Sequence, residues 1–226
     1  MPRTLIVGDV HGCRDELESL LEKAAITASD RVVFVGDLIV RGPDPKGVLD
    51  LVQKLGARVV RGNHEDRLLA SRKDPKYPLG DAQKATIAEM RKRHWAMIEG
   101  WPLWLDLPEH GVRVVHAGVV PGLPIEKQDP HAIMYMRSLG PGNEPHEKRG
   151  EVLWGARYTG PPHVVFGHNA RAEVQIHPWA TGLDTGAVYG GRLTGMLLET
   201  GERPPPVGER LGCLISVPAR RRYFDP

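Results

Sequence analysis

The sequence predicts an α/β fold built on a parallel sheet. Three observations carry that prediction. Short apolar runs stop at glycine-bearing turns, amphipathic helical stretches follow the first two of them, and the order strand, helix, strand, helix, strand fits βαβ units.

Taken in order, Thr4–Val7 is predicted as a buried strand ending at Gly8. Residues 13–25 read as a helix, with Leu17, Leu20, Leu21 and Ala24 on one face and Glu16, Glu18 and Glu22 on others. Residues 31–35 form a second strand, Pro45–Leu55 a second helix stopped by Gly56, and 57–60 a third strand. A helix over 64–72, a proline-bearing loop at 74–80 and one longer helix over 81–98, capped by Asp81, follow. Val112–Val115 is a strand delivering His116, and His163–Phe166 a strand delivering Gly167-His168. Between them, 121–162 is rich in Gly, Pro and charge. It reads as a surface excursion with one short helix near 132–137, placed to act as a substrate-selecting lid. Residues 182–200 read as antiparallel strands at 183–185 and 193–199, and 213–217 as a last strand. The three arginines at 220–222 read as a solvated tail.

Length and composition set limits. The chain has 226 residues, 41% of them hydrophobic, which suits a single domain over 1–226 with a substantial core. Thirty basic against 28 acidic residues leave a net charge of +2, so no whole-surface nucleic-acid signal exists. Any attraction for phosphates must be local. The two cysteines, Cys13 and Cys213, lack metal-binding spacing and fit reduced thiols in a cytosolic protein. The start of the chain is too short for a signal-peptide core, and no apolar run is long enough to cross a bilayer. These features predict a cytoplasmic protein.

Five short motifs carry the chemistry: Gly8-Asp9-Val10-His11-Gly12, Gly36-Asp37 with Arg41-Gly42-Pro43, Gly62-Asn63-His64-Glu65, His116-Ala117-Gly118 and Gly167-His168. Each follows a predicted strand, where open parallel sheets place their ligand sites. Asp9 and His11 sit at positions i and i+2, so both can reach one ion. The donors Asp9, His11, Asp37, Asn63, His116 and His168 combine carboxylate, amide and imidazole without a thiolate. That suits Mn2+, Fe2+, Co2+ or Zn2+ better than calcium. Asp37, central in the order, is the choice to bridge two divalent metal ions. Asp9 and Asp37 offset only half the charge of such a pair, leaving positive charge to face a phosphate. Arg137 is a candidate second phosphate clamp, and Tyr189 a candidate substrate contact.

As an ordered set, the motifs resemble the calcineurin-like metallophosphoesterases, within the phosphoprotein-phosphatase branch. The resemblance covers roughly residues 4–200. It implies an αββα sandwich, two facing mixed sheets flanked by helices, with Asp9, His11, Asp37, Asn63, His116 and His168 holding two metals. It also implies His64 as general acid and Arg41 as phosphate ligand. Protein phosphatases of this branch carry a second Asp in G-D-x-x-D-R-G that hydrogen-bonds the catalytic His; here Val40 stands in its place. That departure, the proline after Arg41-Gly42, and the stretch Leu183-Asp184-Thr185-Gly186 are similar to the bacterial symmetrical diadenosine tetraphosphatases. A nucleotide leaving through a phosphate with a second pKa of about 6 needs little protonation, whereas a serine alkoxide needs a well-held acid. The reading is therefore symmetrical cleavage of diadenosine tetraphosphate to two ADP. The alternatives are a protein serine/threonine/tyrosine phosphatase acting on a phosphoprotein, or a non-catalytic nucleotide sensor.

Overall fold

The computed structural model describes residues 2–225. It holds two five-stranded mixed sheets with helices on their outer faces. In the first, strands β1 (Thr4–Val7), β2 (Arg31–Phe34) and β3 (Arg58–Val59) run parallel. On the other side of β1 come β11 (Arg192–Leu198) and β12 (Leu214–Pro218), each antiparallel to the strand before it in the sheet, giving the order β12-β11-β1-β2-β3. In the second, β4 (Trp104–Leu107), β5 (Val112–Val115), β8 (His163–Phe166), β10 (Ala180–Gly182) and β9 (Gln175–Ile176) lie in that order, with β5, β8 and β10 parallel. A small hairpin, β6 (Ser138–Leu139) and β7 (Pro145–His146), stands apart.

Two-residue alternation explains why the sheets face each other. From β1 and β2, Ile6 and Val33 join Val112 and Val114 of β5 and Val165 of β8 in the core between the sheets. Leu5, Val7, Val32 and Phe34 point the other way, onto α1 (Arg14–Lys23) and α2 (Pro45–Leu55). Val164 and Phe166 turn outward too, packing with Trp154 and α6 (Pro130–Tyr135). Apolar residues on both faces are what make these strands read as continuous runs.

Helix α2 begins on an Asp44 side chain that accepts the Gly47 N–H and ends at Gly56, whose φ of 59° is left-handed. Both cysteines are buried and unpaired. Among the described residues no helix is long and apolar enough to cross a membrane.

Two expectations are corrected and a third is refined. The helix expected over 81–98 is two, α4 (Asp81–Glu89) and α5 (Lys92–Glu99), parted by extended backbone at Met90 and Arg91, and the N-cap of α4 is Gly80 rather than Asp81. The break is held by the His94 ring, which accepts the Arg91 N–H at 3.2 Å and reaches Asp50 of α2 at 2.8 Å. The strand expected at 183–185 lies earlier, at β10; after it Asp184 accepts the Gly186 N–H and makes a turn. The arginines at 220–222 are exposed, as expected of a solvated tail, but the segment is tethered: Arg220 pairs with Asp15, and Tyr223 donates to the buried Glu16 at 2.7 Å.

Candidate metal centre

The first three motif turns are laced together by the backbone. Val10 and His11 N–H groups donate to the Asp37 carbonyl, and Gly12 N–H to that of Leu38. Glu65, at the start of α3 (Asn63–Lys73), accepts the N–H groups of Asp37, Leu38 and Gly62. The approach is close enough to demand glycine: a Cβ on Gly62 would lie 2.3 Å from Asp37 Oδ1, and one on Gly36, itself at φ 96°, 2.7 Å from Gly62 N. His11, Asp37 and His168 adopt left-handed φ of 47°, 50° and 65°. Such strain in non-glycine residues collects where side chains must be aimed.

What they are aimed at is one point between the sheets. Asp37 Oδ2 lies 3.4 Å from His116 Nε2, 3.6 Å from His11 Nε2 and 3.9 Å from His64 Nε2. Asn63 Oδ1 is 3.0 Å from both His116 Nε2 and His168 Nδ1. Two overlapping donor sets result, His11–Asp37–His64 and Asp37–His116–His168, with Asp37 common to both. All these side chains are buried. Asp9 is buried beside them but falls outside both sets; its two oxygens accept the His168 N–H at 3.1 and 3.0 Å.

The second ring nitrogens fix the tautomers. His11 Nδ1 lies 3.2 Å from the Ile39 carbonyl, His116 Nδ1 2.8 Å from that of Val35, and His168 Nε2 3.1 Å from that of Tyr135. A carbonyl only accepts, so each of these nitrogens carries its proton, and in the neutral ring the opposite nitrogen presents a lone pair. Lone pairs on His116 Nε2, His168 Nδ1, Asn63 Oδ1 and Asp37 Oδ2 therefore converge, an arrangement that fits a cation. His64 differs: its Nδ1 is buried with no partner among the described residues.

Charge says the same. Burial, then the nearby Asp184 and Asp37, push Asp9 well above the carboxylate range. Burial and the Asp37 charge push Asp184 up to about 6 and Glu65 up to about 7. Burial also acts on Asp37, but the His116 and His64 rings overcome it and hold Asp37 well below its ordinary value. Burial lowers His11 to about 4. The cluster is crowded with carboxyls and short of positive charge, which divalent cations supply.

Above it opens a cavity of about 480 Å³. Arg41, Arg137 and Tyr189 all line it, with His64 at its floor. The Arg41 guanidinium lies 5.6 Å from the Tyr189 ring centre and 5.4 Å from that of Phe224, with Nη1 3.3 Å from His11 Nε2. The segment 121–162 forms one wall, contributing Tyr135, Arg137, Glu147 and Arg149. Trp154 anchors that wall through its donation to the Ala117 carbonyl at 3.0 Å. Arg157 and Tyr158 bond within the wall, to Gly140 and Pro162 carbonyls. Sequence reasoning gave no site role to Asp184, Arg67, Arg149, Arg171 or Phe224. Of these only Asp184 had a signal, its place in the Leu183-Asp184-Thr185-Gly186 stretch.

Comparison with known proteins fits this geometry. A model of the calcineurin-like phosphoesterases matches residues 2–191, a span that encloses all five motif turns. A relative from Oceanobacillus iheyensis, named bis(5'-nucleosyl)-tetraphosphatase PrpE [asymmetrical], is 30% identical over 216 residues, 84% of this chain and 86% of its own. One of the same name from Bacillus cereus strain B4264 is 28% identical over 248 residues, 98% of each chain. A solved structure described as a candidate diadenosine tetraphosphatase superposes with a TM-score of 0.84 at 35% identity, covering 97% of this chain and 96% of that one. A protein serine/threonine phosphatase from Saccharomyces cerevisiae, 17% identical with a TM-score of 0.62, shares the fold. With the motif turns converging on one shared carboxylate and the family model spanning most of the sequence, the chain belongs to the calcineurin-like phosphoesterase family.

Proposed function

We propose that this chain hydrolyses a phosphoanhydride bond in dinucleoside polyphosphates, with diadenosine tetraphosphate as the principal substrate. Calcineurin-like phosphoesterases use a dinuclear divalent metal centre. Here Asp9, His11, Asp37, Asn63, His116 and His168 would hold it, and the mixed oxygen and imidazole donors favour manganese. Once bound, the ions supply a more acidic water and charge stabilisation for the phosphoryl group.

The chain's own residues do the rest. Arg41, preset between two aromatic rings, holds the oxygens of the phosphoryl group under attack, and Arg137 faces the same space. His64 stands beside the leaving oxygen. The observation that carries the substrate class is the unpartnered, buried Nδ1 of His64. Among the described residues no carboxylate meets that Nδ1, and Val40 occupies the place of the Asp that the phosphoprotein-phosphatase pattern expects. Help to the leaving group is correspondingly weak. A departing nucleotide phosphate tolerates this and a serine alkoxide does not.

The names of the relatives, 28–30% identical over most of their length, support the same substrate. They also bear on where the cut falls. The sequence reading favoured central cleavage to two ADP, whereas those relatives are named asymmetrical. We follow the relatives, and the cut then releases ATP and AMP. Chromatography of products from diadenosine tetraphosphate with manganese present tests both points. Equal ATP and AMP is the expected result. Two ADP would restore central attack. Absence of turnover, beside rapid phosphate release from a phosphopeptide, would overturn the reading in favour of a protein phosphatase.

A further inference from the structure

The cavity holds more positive charge than one transferred phosphoryl group requires. Five arginines line it: Arg41, Arg67, Arg137, Arg149 and Arg171. Arg41 and Arg137 have roles at the reacting phosphate. The other three arrive from separate parts of the chain. Arg67 comes from α3, its guanidinium 5.6 Å from the Tyr135 ring centre. Arg149 comes from the wall and is tied to the turn after His168, donating to Asn169 Oδ1 at 3.0 Å and the Ala170 carbonyl at 2.7 Å. Arg171 follows on that turn and is exposed.

Among the described residues none of the five is ion-paired with a carboxylate. Several arginines elsewhere are, among them Arg3 with Asp30, Arg113 with Asp106 and Arg192 with Glu173. Glu147, on the same wall, pairs with His131 instead. Burial, then the like charge of Arg149, depresses Arg137 against the opposing pull of Asp37 and Asp184. Clustered cations repel, and holding several around one solvent-filled space favours an anion spread over several groups. A single phosphate monoester carries about two negative charges, which the metal centre with Arg41 and Arg137 already answers. A chain of linked phosphates extends its charge outward, toward Arg149 and Arg171.

We propose that Arg149 and Arg171, with Arg67, form a second phosphate subsite for the unreacting phosphates of a polyphosphate chain, so that phosphate number more than the nucleoside sets affinity. This deepens the functional reading above and rests on it for the identity of the substrate; the subsite itself requires only linked phosphates. Guanidinium groups suit the role because they give paired N–H donors to phosphate oxygens in fixed geometry.

The test compares inorganic tripolyphosphate with orthophosphate as competitive inhibitors of p-nitrophenyl phosphate turnover in excess manganese. Three full-length proteins are used: the natural one, Arg149→Gln with Arg171→Gln, and a charge control, Lys54→Gln with Arg58→Gln, on the exposed surface away from the cavity. The natural protein should prefer tripolyphosphate over orthophosphate by at least about tenfold. The double arginine variant should lose most of that preference, and the control should keep it within about twofold. Metal chelation by tripolyphosphate is common to all three and cancels. A second readout needs no turnover: in EDTA, tripolyphosphate should raise the melting temperature of the natural protein and of the control but not of the arginine variant.

An undiminished preference in the arginine variant, or equal loss in the control, overturns the subsite. Because p-nitrophenyl phosphate and tripolyphosphate contain no nucleoside, failure to cleave diadenosine tetraphosphate would sink the functional reading while leaving this result standing. Cleavage of the dinucleotide together with an unaltered preference would do the reverse.

Discussion

The two ends of the sandwich bury polar groups in opposite ways. At the amino ends of the strands the buried imidazoles find protein partners. His110 reaches the Glu202 carbonyl at 2.7 Å and Thr4 Oγ1 at 2.9 Å. His163 Nε2 lies 2.9 Å from Thr181 Oγ1 and accepts from the buried Arg210, which also donates to Thr181 at 2.6 Å. At the carboxyl ends, lone pairs of His116, His168, Asn63 and Asp37 crowd together, and His64 Nδ1 has no partner among the described residues. Satisfied burial holds a fold together, whereas groups that only a ligand can satisfy mark a place of work.

The sharpest way to break this contrast is Asp37→Asn, which removes the carboxylate common to both donor sets. Turnover should fall by roughly three orders of magnitude or more, and metal content measured on the purified protein should drop from two ions toward none. The fold should survive, since Asn can still accept the His64 N–H that Asp37 Oδ1 accepts at 3.0 Å. Retention of both ions and full turnover would show that the carboxyl end is another structural network.

Arg210→Met attacks the other end. It leaves His163 Nε2 and the Pro205 carbonyl without their buried donor. Unfolding free energy should fall by about 3 kcal/mol, read by urea titration, while kcat per folded molecule stays unchanged.

Acid sharpens the contrast further. Burial, then the Arg210 charge, holds His163 down at about 3. The unfolded chain takes up that proton near pH ~6.5 while the folded chain resists, so stability falls as pH drops between those values. At pH 5 this one ring should cost about 2 kcal/mol relative to neutrality. His163→Gln should flatten that part of the stability curve, and an unchanged slope would refute the assignment.

The smallest effect belongs to Phe224→Ala, which strips one ring from Arg41. The loss should be about two- to fivefold in kcat/KM, the worth of an exposed cation–π contact. In an Arg41→Ala background the same change should do nothing more. An equal loss in both backgrounds would mean that Phe224 acts only through packing.

Much of the carboxyl end was legible in the sequence because its signals are local. A glycine, an acid and a histidine after an apolar run announce a strand-end turn, and the continuous apolar runs at Thr4–Val7 and His163–Phe166 announce the strands themselves. What stayed hidden depends on partners far along the chain. No glycine or proline near Met90 and Arg91 announces a break; the His94 ring that caps Arg91 N–H is itself held, with Arg93, by the distant Asp50. The tail reads as free charge until Asp15 and Glu16 are brought beside it. The cavity arginines escaped for the same reason, since Arg67, Arg149 and Arg171 come from three separate stretches and meet only across a folded wall.

Asn63 Oδ1 touches one imidazole at the end of β5 and another just past β8, while its own backbone follows β3 in the opposite sheet. Cations lodged there would rivet the two leaves of the sandwich across their seam. Heat resistance should therefore climb with free metal concentration, and loss of metal would loosen the whole body before any chemistry is asked of it.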